Sequence, residues 1–202
     1  MTSPRLEQQL RFILEADKLK EIFRQTLCTQ SRRPENDAEH SWHLCLLVIV
    51  LAEHANFRPL NLGRVLRMLI IHDLVEIDAG DTYAYDEARM ADQHARECVA
   101  ADRIFGLLPA DQAAEFRAAW DEFEARQTPE AKFAAAVDRF QPMLLNCVSE
   151  GVSWREHAVT QDRVLKRNAH IAEGSAALWD YAVQMVQQAV DAGHLAPPPE
   201  ST

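Results

Sequence analysis

Two ionisable residues, His72 and Asp73, stand inside an apolar segment of the sequence, residues 68–77 (MLIIHDLVEI). Burying such side chains is unfavourable unless something buried with them offsets their desolvation. On a helix, Glu76 lies four residues after His72 and three after Asp73, so all three share roughly one side. A polar spot on an otherwise apolar helix indicates a metal site or an active site.

Two further candidate ligands come from other segments with a helical pattern. His40 lies in the first turn of a helix that begins near Asn36, and Asp138 follows the apolar run of residues 134–137. Imidazole and carboxylate groups bind Mn, Co, Mg, Fe, Zn or Ni to different degrees, and the sequence does not select among them. Two histidines and two aspartates from three helices could hold one divalent cation and leave positions open for water and substrate.

Each of these residues also has a purely structural explanation. His72 and Asp73 could form a buried hydrogen-bonded pair that keeps helices in register. Asp138 could pair with its neighbour Arg139 or with Lys132. Taken together, such explanations need several coincidences in the right order along the chain, so the pattern favours a metal site.

The charge balance restricts the class of partner. The chain has 31 acidic and 21 basic residues, a formal net charge of −10, and its Lys and Arg residues are not clustered. Such a field repels a nucleic-acid backbone, so we expect no polymeric nucleic acid as partner. A divalent cation with one or two arginines can reverse the potential locally. Any chemistry on a small phosphate substrate is therefore expected to need a metal.

Cysteine usage and hydropathy indicate a cytoplasmic protein. The four cysteines (Cys28, Cys45, Cys98 and Cys147) form no C-x-x-C pair and are expected to be reduced thiols. The longest apolar run, residues 44–52, is too short to span a bilayer, and the first twenty residues lack an export signal. We therefore expect no membrane partner.

Helical periodicity dominates the sequence, which predicts an all-α fold in a single domain of residues 1–195 with a disordered tail at 196–202. Asn36 and Glu39 predict a capping box, and the helix that follows is apolar nearly all round, which is typical of a helix buried at the centre of a domain. Pro142 is expected to kink or end its helix. Helices are predicted at residues 4–24, 37–55, 61–77, 87–107, 110–125, 129–147, 161–171 and 173–192.

Four short motifs resemble those of a known family. Residues 33–40 (RPENDAEH), 72–76 (HDLVE), 80–81 (GD) and 131–138 (AKFAAAVD) are similar in order and spacing to the motifs of the HD-domain metal-dependent phosphohydrolases. Within that family, the chain resembles the branch that contains bacterial and eukaryotic 5′-deoxynucleotidases, over about residues 19–147. The resemblance implies an HD-type helical bundle, one divalent metal ion, a nucleoside monophosphate as substrate and a homodimer.

The resemblance also implies roles for individual residues. Glu76 would orient or deprotonate the attacking water, Asp81 would assist it and line the substrate pocket, and Arg24 would contact the nucleotide. The family's deoxynucleotidases can carry a tryptophan directly after that arginine, where this chain has Gln25. The metal ligands would be His40, His72, Asp73 and Asp138.

Other functions remain as alternatives, because one fold can serve many substrates. The first is hydrolysis of another phosphate ester, a nucleoside triphosphate or a nucleotide second messenger. A triphosphate is expected to need more basic residues than the four near the motifs: Arg24, Arg32, Arg33 and Lys132. A di-iron HD oxygenase needs more ligands, and only His43 is an obvious spare. A non-catalytic helical module is expected to have lost ligands, and this chain has all four.

Overall fold

The computed structural model describes residues 3–81 and 92–199. Helices dominate these ranges and the only sheet within them has two short strands, so the all-α prediction is confirmed. No helix in the described ranges has the length and hydropathy needed to cross a membrane.

The N-terminal segment differs from its prediction. Helix α1 (Pro4–Ala16) passes into a 3₁₀ turn (Asp17–Glu21), and strand β1 (Phe23–Leu27) then pairs antiparallel with β2 (Pro34–Asn36). The predicted helix over residues 4–24 is therefore wrong beyond the turn, and Arg24 lies on a strand. Pairing with a distant segment decides the conformation here, and helical spacing cannot reveal it.

Helix α2 (Asp37–Leu51) begins with the predicted capping box, in which Asn36 accepts from the Glu39 backbone N–H and the Glu39 side chain accepts from that of Asn36. The prediction that this helix is buried on all sides is wrong. Leu44 and Val48 are fully buried, but one side is exposed to solvent. That side, the α2 stripe, consists of Trp42, Leu46, Ile49 and Val50, which are 44–64% exposed.

A 3₁₀ turn that contains His72 and Asp73 interrupts the helix predicted over residues 61–77. Helix α3 (Leu62–Ile71) is capped by Asn61 and ends just before His72. A 3₁₀ turn (His72–Val75) follows, then the short helix α4 (Glu76–Ala79). Gly80 follows α4 with a φ of 75°, a conformation that a residue without Cβ adopts at low cost.

The rest of the chain is helical, and α7 lies at its centre. The Thr128 side chain caps the start of α7, and the helix continues through Pro142, so this proline does not end it. Of the predicted helix over residues 87–107, residues 87–91 lie outside the described ranges. The elements are α5 (Gln93–Phe105), α6 (Ala110–Ala125), α7 (Pro129–Val148), α8 (Val152–Glu156), α9 (Gln161–Asn168), α10 (Ile171–Gly174) and α11 (Ala176–Asp191).

Close packing joins α7 to its neighbours α2, α3, α10 and α11. At Gly174, a Cβ atom would lie 2.2 Å from the backbone oxygen of Lys132, so only glycine permits this approach of α10 to α7. At the C-terminus, Leu195 is buried and Ala196 bridges to Thr160. The division into a domain of residues 1–195 and a tail of 196–202 stays a prediction, and residues 200–202 lie outside the described ranges.

Candidate metal centre

The structure brings the four predicted ligands together in one buried cluster. His40 comes from the first turn of α2, His72 and Asp73 from the 3₁₀ turn after α3, and Asp138 from the middle of α7. The Oδ1 atom of Asp138 lies 3.1 Å from His40 Nε2 and 3.6 Å from His72 Nε2. The Oδ1 atom of Asp73 lies 3.0 Å from His72 Nε2. Ligand atoms of His40, His72 and Asp73 lie within 4.8 Å of one another.

Hydrogen bonds from the other ring nitrogens orient both imidazoles. His72 Nδ1 donates to the backbone oxygen of Leu69 at 2.9 Å, and His40 Nδ1 donates to Gln141 Oε1 at 3.1 Å. With its proton on Nδ1, each neutral ring presents the Nε2 lone pair to the cluster. His72 Nε2 has no hydrogen-bond partner among the described residues. Lone pairs that face carboxylate oxygens repel each other unless positive charge lies between them.

The pKa shifts of His40 and Asp138 also indicate that the cluster needs positive charge. Burial and the charge of Arg24 lower the pKa of His40, but hydrogen bonds with Asp138 and Glu35 and the charge of Asp73 outweigh them and raise it to about 9. Burial opposes ionisation of Asp138, yet the hydrogen bond from His40 and the closeness of His72 hold its pKa well below its usual range. Two buried imidazoles and two carboxylates form a ligand set that fits a divalent cation.

A second group of carboxylates adjoins the cluster. Oxygens of Asp37, Asp73 and Glu76 lie within 4.8 Å of one another, and all three residues are buried. The Nη1 atom of Arg24 donates to Asp37 Oδ1 at 3.0 Å and to Asp73 Oδ2 at 2.9 Å. This guanidinium supplies one positive charge to a group of three buried carboxylates.

Glu76 is the predicted residue for water activation, and it lies beside these carboxylates. Burial, followed by the charges of Asp73 and Asp37, raises its pKa well above the usual range, while Arg24 lowers it. Its Oε2 atom has no hydrogen-bond partner among the described residues.

A cavity of about 330 Å³ opens onto the cluster. The predicted substrate residues Arg24 and Asp81 both line it, and Gln25 lies next to Arg24 in its wall. Burial raises the pKa of Asp81, whereas Arg24 lowers it. Other residues of the wall come from α5 to α9 and include Glu97, Trp120, Arg139, Asn146, Trp154 and Arg167.

Sequence reasoning missed three buried partners of the cluster. Gln141 accepts from His40 and donates to Glu35 Oε1 at 2.8 Å and to His43 Nδ1 at 3.1 Å. Asp37 receives the hydrogen bond from Arg24. The motif of residues 33–40 contained Glu35 and Asp37, but its charged residues gave no sign of which would be buried. Gln141 follows Asp138 by three residues, which places it on the same side of α7.

The protein is an all-α bundle whose central helices bring histidine and aspartate side chains together in a buried cluster. Its fold and site thus place it among helical domains with a candidate metal centre. The chain belongs to the HD domain family, whose sequence profile matches residues 16–179. The predicted family and its HD-type helical fold are therefore confirmed.

The curated relatives include proteins with a named activity. The 5′-deoxynucleotidase HDDC2 of Homo sapiens is 29% identical over 136 residues, which are 67% of this chain and 65% of that protein. The 5′-deoxynucleotidase hdd1 of Schizosaccharomyces pombe is 29% identical over 113 residues, 54% of this chain and 55% of that protein. The chain thus matches less than two thirds of the length of these relatives.

Solved structures extend the comparison. The crystal structure of a predicted metal-dependent phosphohydrolase from Magnetospirillum magnetotacticum MS-1 has a TM-score of 0.91 and 54% sequence identity, and the match covers 96% of both chains. A conserved hypothetical protein from Pyrococcus furiosus has a TM-score of 0.56 at 22% identity, covering 78% of this chain and 94% of that one, which shows the fold alone.

Proposed function

We propose that this protein is a metal-dependent phosphohydrolase that releases phosphate from deoxynucleoside 5′-monophosphates. The observation that carries the proposal is the buried cluster, in which two oriented imidazoles face two carboxylates at the wall of a cavity. The activity named for HDDC2 and hdd1 supports the choice of substrate.

The proposed metal ligands are His40, His72, Asp73 and Asp138. A divalent cation held there, whether Mn, Co, Mg, Fe, Zn or Ni, would act as a Lewis acid and lower the pKa of a bound water. Asn, Ser or Ala at either aspartate position would remove a charge that the two histidines cannot replace.

Glu76 is proposed to accept the proton of the attacking water. Its carboxylate follows Asp73 by one turn, lines the cavity and has an oxygen without a hydrogen-bond partner among the described residues. A general base must lie within hydrogen-bond reach of the proton that it takes, and Glu76 lies in the cavity wall within 4.8 Å of an oxygen of the proposed ligand Asp73. Asp81 would assist from the same wall and contact the substrate.

Arg24 is proposed to contact the substrate phosphate and to hold Asp73 in place. Its guanidinium is fixed by two carboxylates, so it is oriented before substrate arrives. Preorganised donors stabilise the charge of the phosphoryl transition state at low reorganisation cost.

A second candidate substrate is a nucleotide with more than one phosphate. The sequence suggested too few basic residues for such a ligand, but the fold adds Arg139 and Arg167 to the cavity wall. Both candidates are small phosphate esters, which a chain with a net charge of −10 can bind where a metal ion and arginines reverse the potential locally.

Phosphate release by the chelator-stripped protein tests the proposal. The panel comprises deoxynucleoside and ribonucleoside monophosphates, nucleoside triphosphates and an aryl phosphate, each with Mn, Co, Mg or no added metal. We expect turnover of deoxynucleoside monophosphates only with metal, and none with the variant Asp73→Ala. Metal-independent turnover, or full activity of Asp73→Ala, would contradict the proposed site, and preference for triphosphates would select the second candidate.

We also propose a cytoplasmic homodimer. The α2 stripe exposes four large apolar side chains on one side of a helix, and a second copy of the chain could cover them. All four cysteines are free, which agrees with a reducing compartment.

A further inference from the structure

Arg139 lines the cavity and directly follows the proposed ligand Asp138 on α7. Its Nε atom lies 3.6 Å from Asp138 Oδ2, which is too long for a hydrogen bond, and its side chain is 34% exposed. Arg139 has no shorter ion pair within the described ranges. A guanidinium has five N–H donors, so most of those on Arg139 remain available to a ligand.

Arg24 and Arg139, the two arginines that flank the cluster, differ in how closely carboxylates of the protein engage them. Arg24 shares one nitrogen between Asp37 and Asp73, both at hydrogen-bond distance, so its charge largely neutralises protein carboxylates. Asp138 directs Oδ1 towards the two histidines and only Oδ2 towards Arg139. Each proposed aspartate ligand thus has an arginine beside it, but Arg139 is the less engaged of the two.

Pairing with Asp138 does not account for the position of Arg139. An ion pair at this distance, with one partner partly exposed to solvent, contributes little to stability. Asp138 also has a nearer partner in His40, whose Nε2 atom lies 3.1 Å from Oδ1. We therefore expect the guanidinium of Arg139 in the cavity wall to pair with an anion that is not part of the protein.

We propose that Arg139 binds the phosphoryl oxygens of the substrate, as a second phosphate-binding arginine beside Arg24; this inference rests on the proposed function. The planar fork of a guanidinium matches two phosphate oxygens, and Arg139 holds that fork next to the metal centre. The phosphoryl group is common to all candidate substrates, so Arg139 acts independently of the base.

The experiment compares Arg139→Gln and Arg139→Lys with a matched control, Lys132→Gln. Lys132 lies seven residues earlier on α7, its side chain is 30% exposed, and it lies 4.0 Å from Glu173, away from the cavity wall. For each Mn²⁺-loaded protein we would measure metal content, kcat/KM for a deoxynucleoside monophosphate and for an aryl phosphate, and the inhibition constant of inorganic phosphate.

We expect Arg139→Gln to keep its metal, to lose roughly ten- to a hundred-fold in kcat/KM on both substrates, and to bind inorganic phosphate more weakly by a similar factor. Arg139→Lys should lose less, and Lys132→Gln should match the wild type.

Three results would overturn the inference while the wild type remains active. The first is unchanged phosphate inhibition in Arg139→Gln, and the second is a loss confined to the nucleotide, which would place Arg139 at the base. The third is loss of metal in proportion to activity, which would make Arg139 a positioning residue for Asp138. A wild type that turns over no phosphate ester would refute the proposed function as well.

Discussion

The orientation of His40 depends on a short chain of buried hydrogen bonds. Glu35 accepts from the amide nitrogen of Gln141, which turns the amide oxygen towards His40 Nδ1. In its neutral form His40 therefore keeps its proton on the side away from the cluster and directs Nε2 towards Asp138. A ligand fixed in this way loses less entropy when a metal binds, so the residues behind it influence metal affinity.

Replacing Gln141 with Leu should weaken metal binding by about ten- to a hundred-fold, because His40 loses the acceptor that orients it. The measurement is titration of the chelator-stripped protein with Mn²⁺, together with thermal unfolding. Ser149→Ala is the control, since Ser149 is also buried but directly follows α7 and donates to the backbone oxygen of Leu145, at the end of that helix. Equal metal affinity in both variants would show that Gln141 serves only to stabilise the fold.

The ligands could be predicted from sequence, whereas the residues behind them could not. Histidine and aspartate within apolar segments are conspicuous, because their burial needs an explanation. Gln141 is uncharged and gives no such signal, and its partner Glu35 is 106 residues away in the chain. Arg139 was predicted only as a possible partner of Asp138, since the sequence does not show which side chains reach a cavity.

At the scale of the elements, helix starts could be predicted best. Asn36, Asn61 and Thr128 each accept a backbone hydrogen bond from the residue three positions on, and this local chemistry is visible in the sequence. The strand that carries Arg24 could not be predicted, because its conformation depends on pairing with residues 34–36. The exposed side of α2 was also not predicted. Apolar residues on a helix have the same pattern in the sequence whether the protein's own core or another chain covers them.

Loss of the cap on α2 has a predictable cost. Asn36→Ala should lower the free energy of unfolding by about 1 kcal/mol, because the Glu39 backbone N–H loses its acceptor. Asn36→Asp keeps an acceptor oxygen and should stay close to the wild type. Urea unfolding of the metal-loaded proteins measures both. An equal loss in the two variants would mean that the amide nitrogen of Asn36, rather than its oxygen, stabilises the helix.

For the whole molecule, the apolar surface of α2 is a feature that a single chain leaves uncovered. Its residues recur at positions i, i+4, i+7 and i+8, so they form one side of the helix. The opposite side packs into the core and carries His40. An interface at the α2 stripe would thus lie one helix width away from the metal centre.

Ile49→Glu should convert a dimer into monomers, because it places a charge at the centre of the α2 stripe. Sedimentation equilibrium measures the mass of each protein. Val99→Glu is the control: Val99 is 71% exposed and is the only large exposed apolar residue of α5 among those described. A wild type that sediments as a monomer, or a dimer that persists in Ile49→Glu, would exclude this interface.

The close approach of α10 to α7 at Gly174 limits which residues proteins of this fold can have at that position. The backbone of Gly174 has an ordinary conformation, so no turn requires glycine there; the neighbouring helix does. Natural chains with alanine or a larger residue at this position must set α10 farther from the helix that bears Asp138. One small residue, which is not itself a ligand, is thus a marker of the spacing between these two helices across relatives.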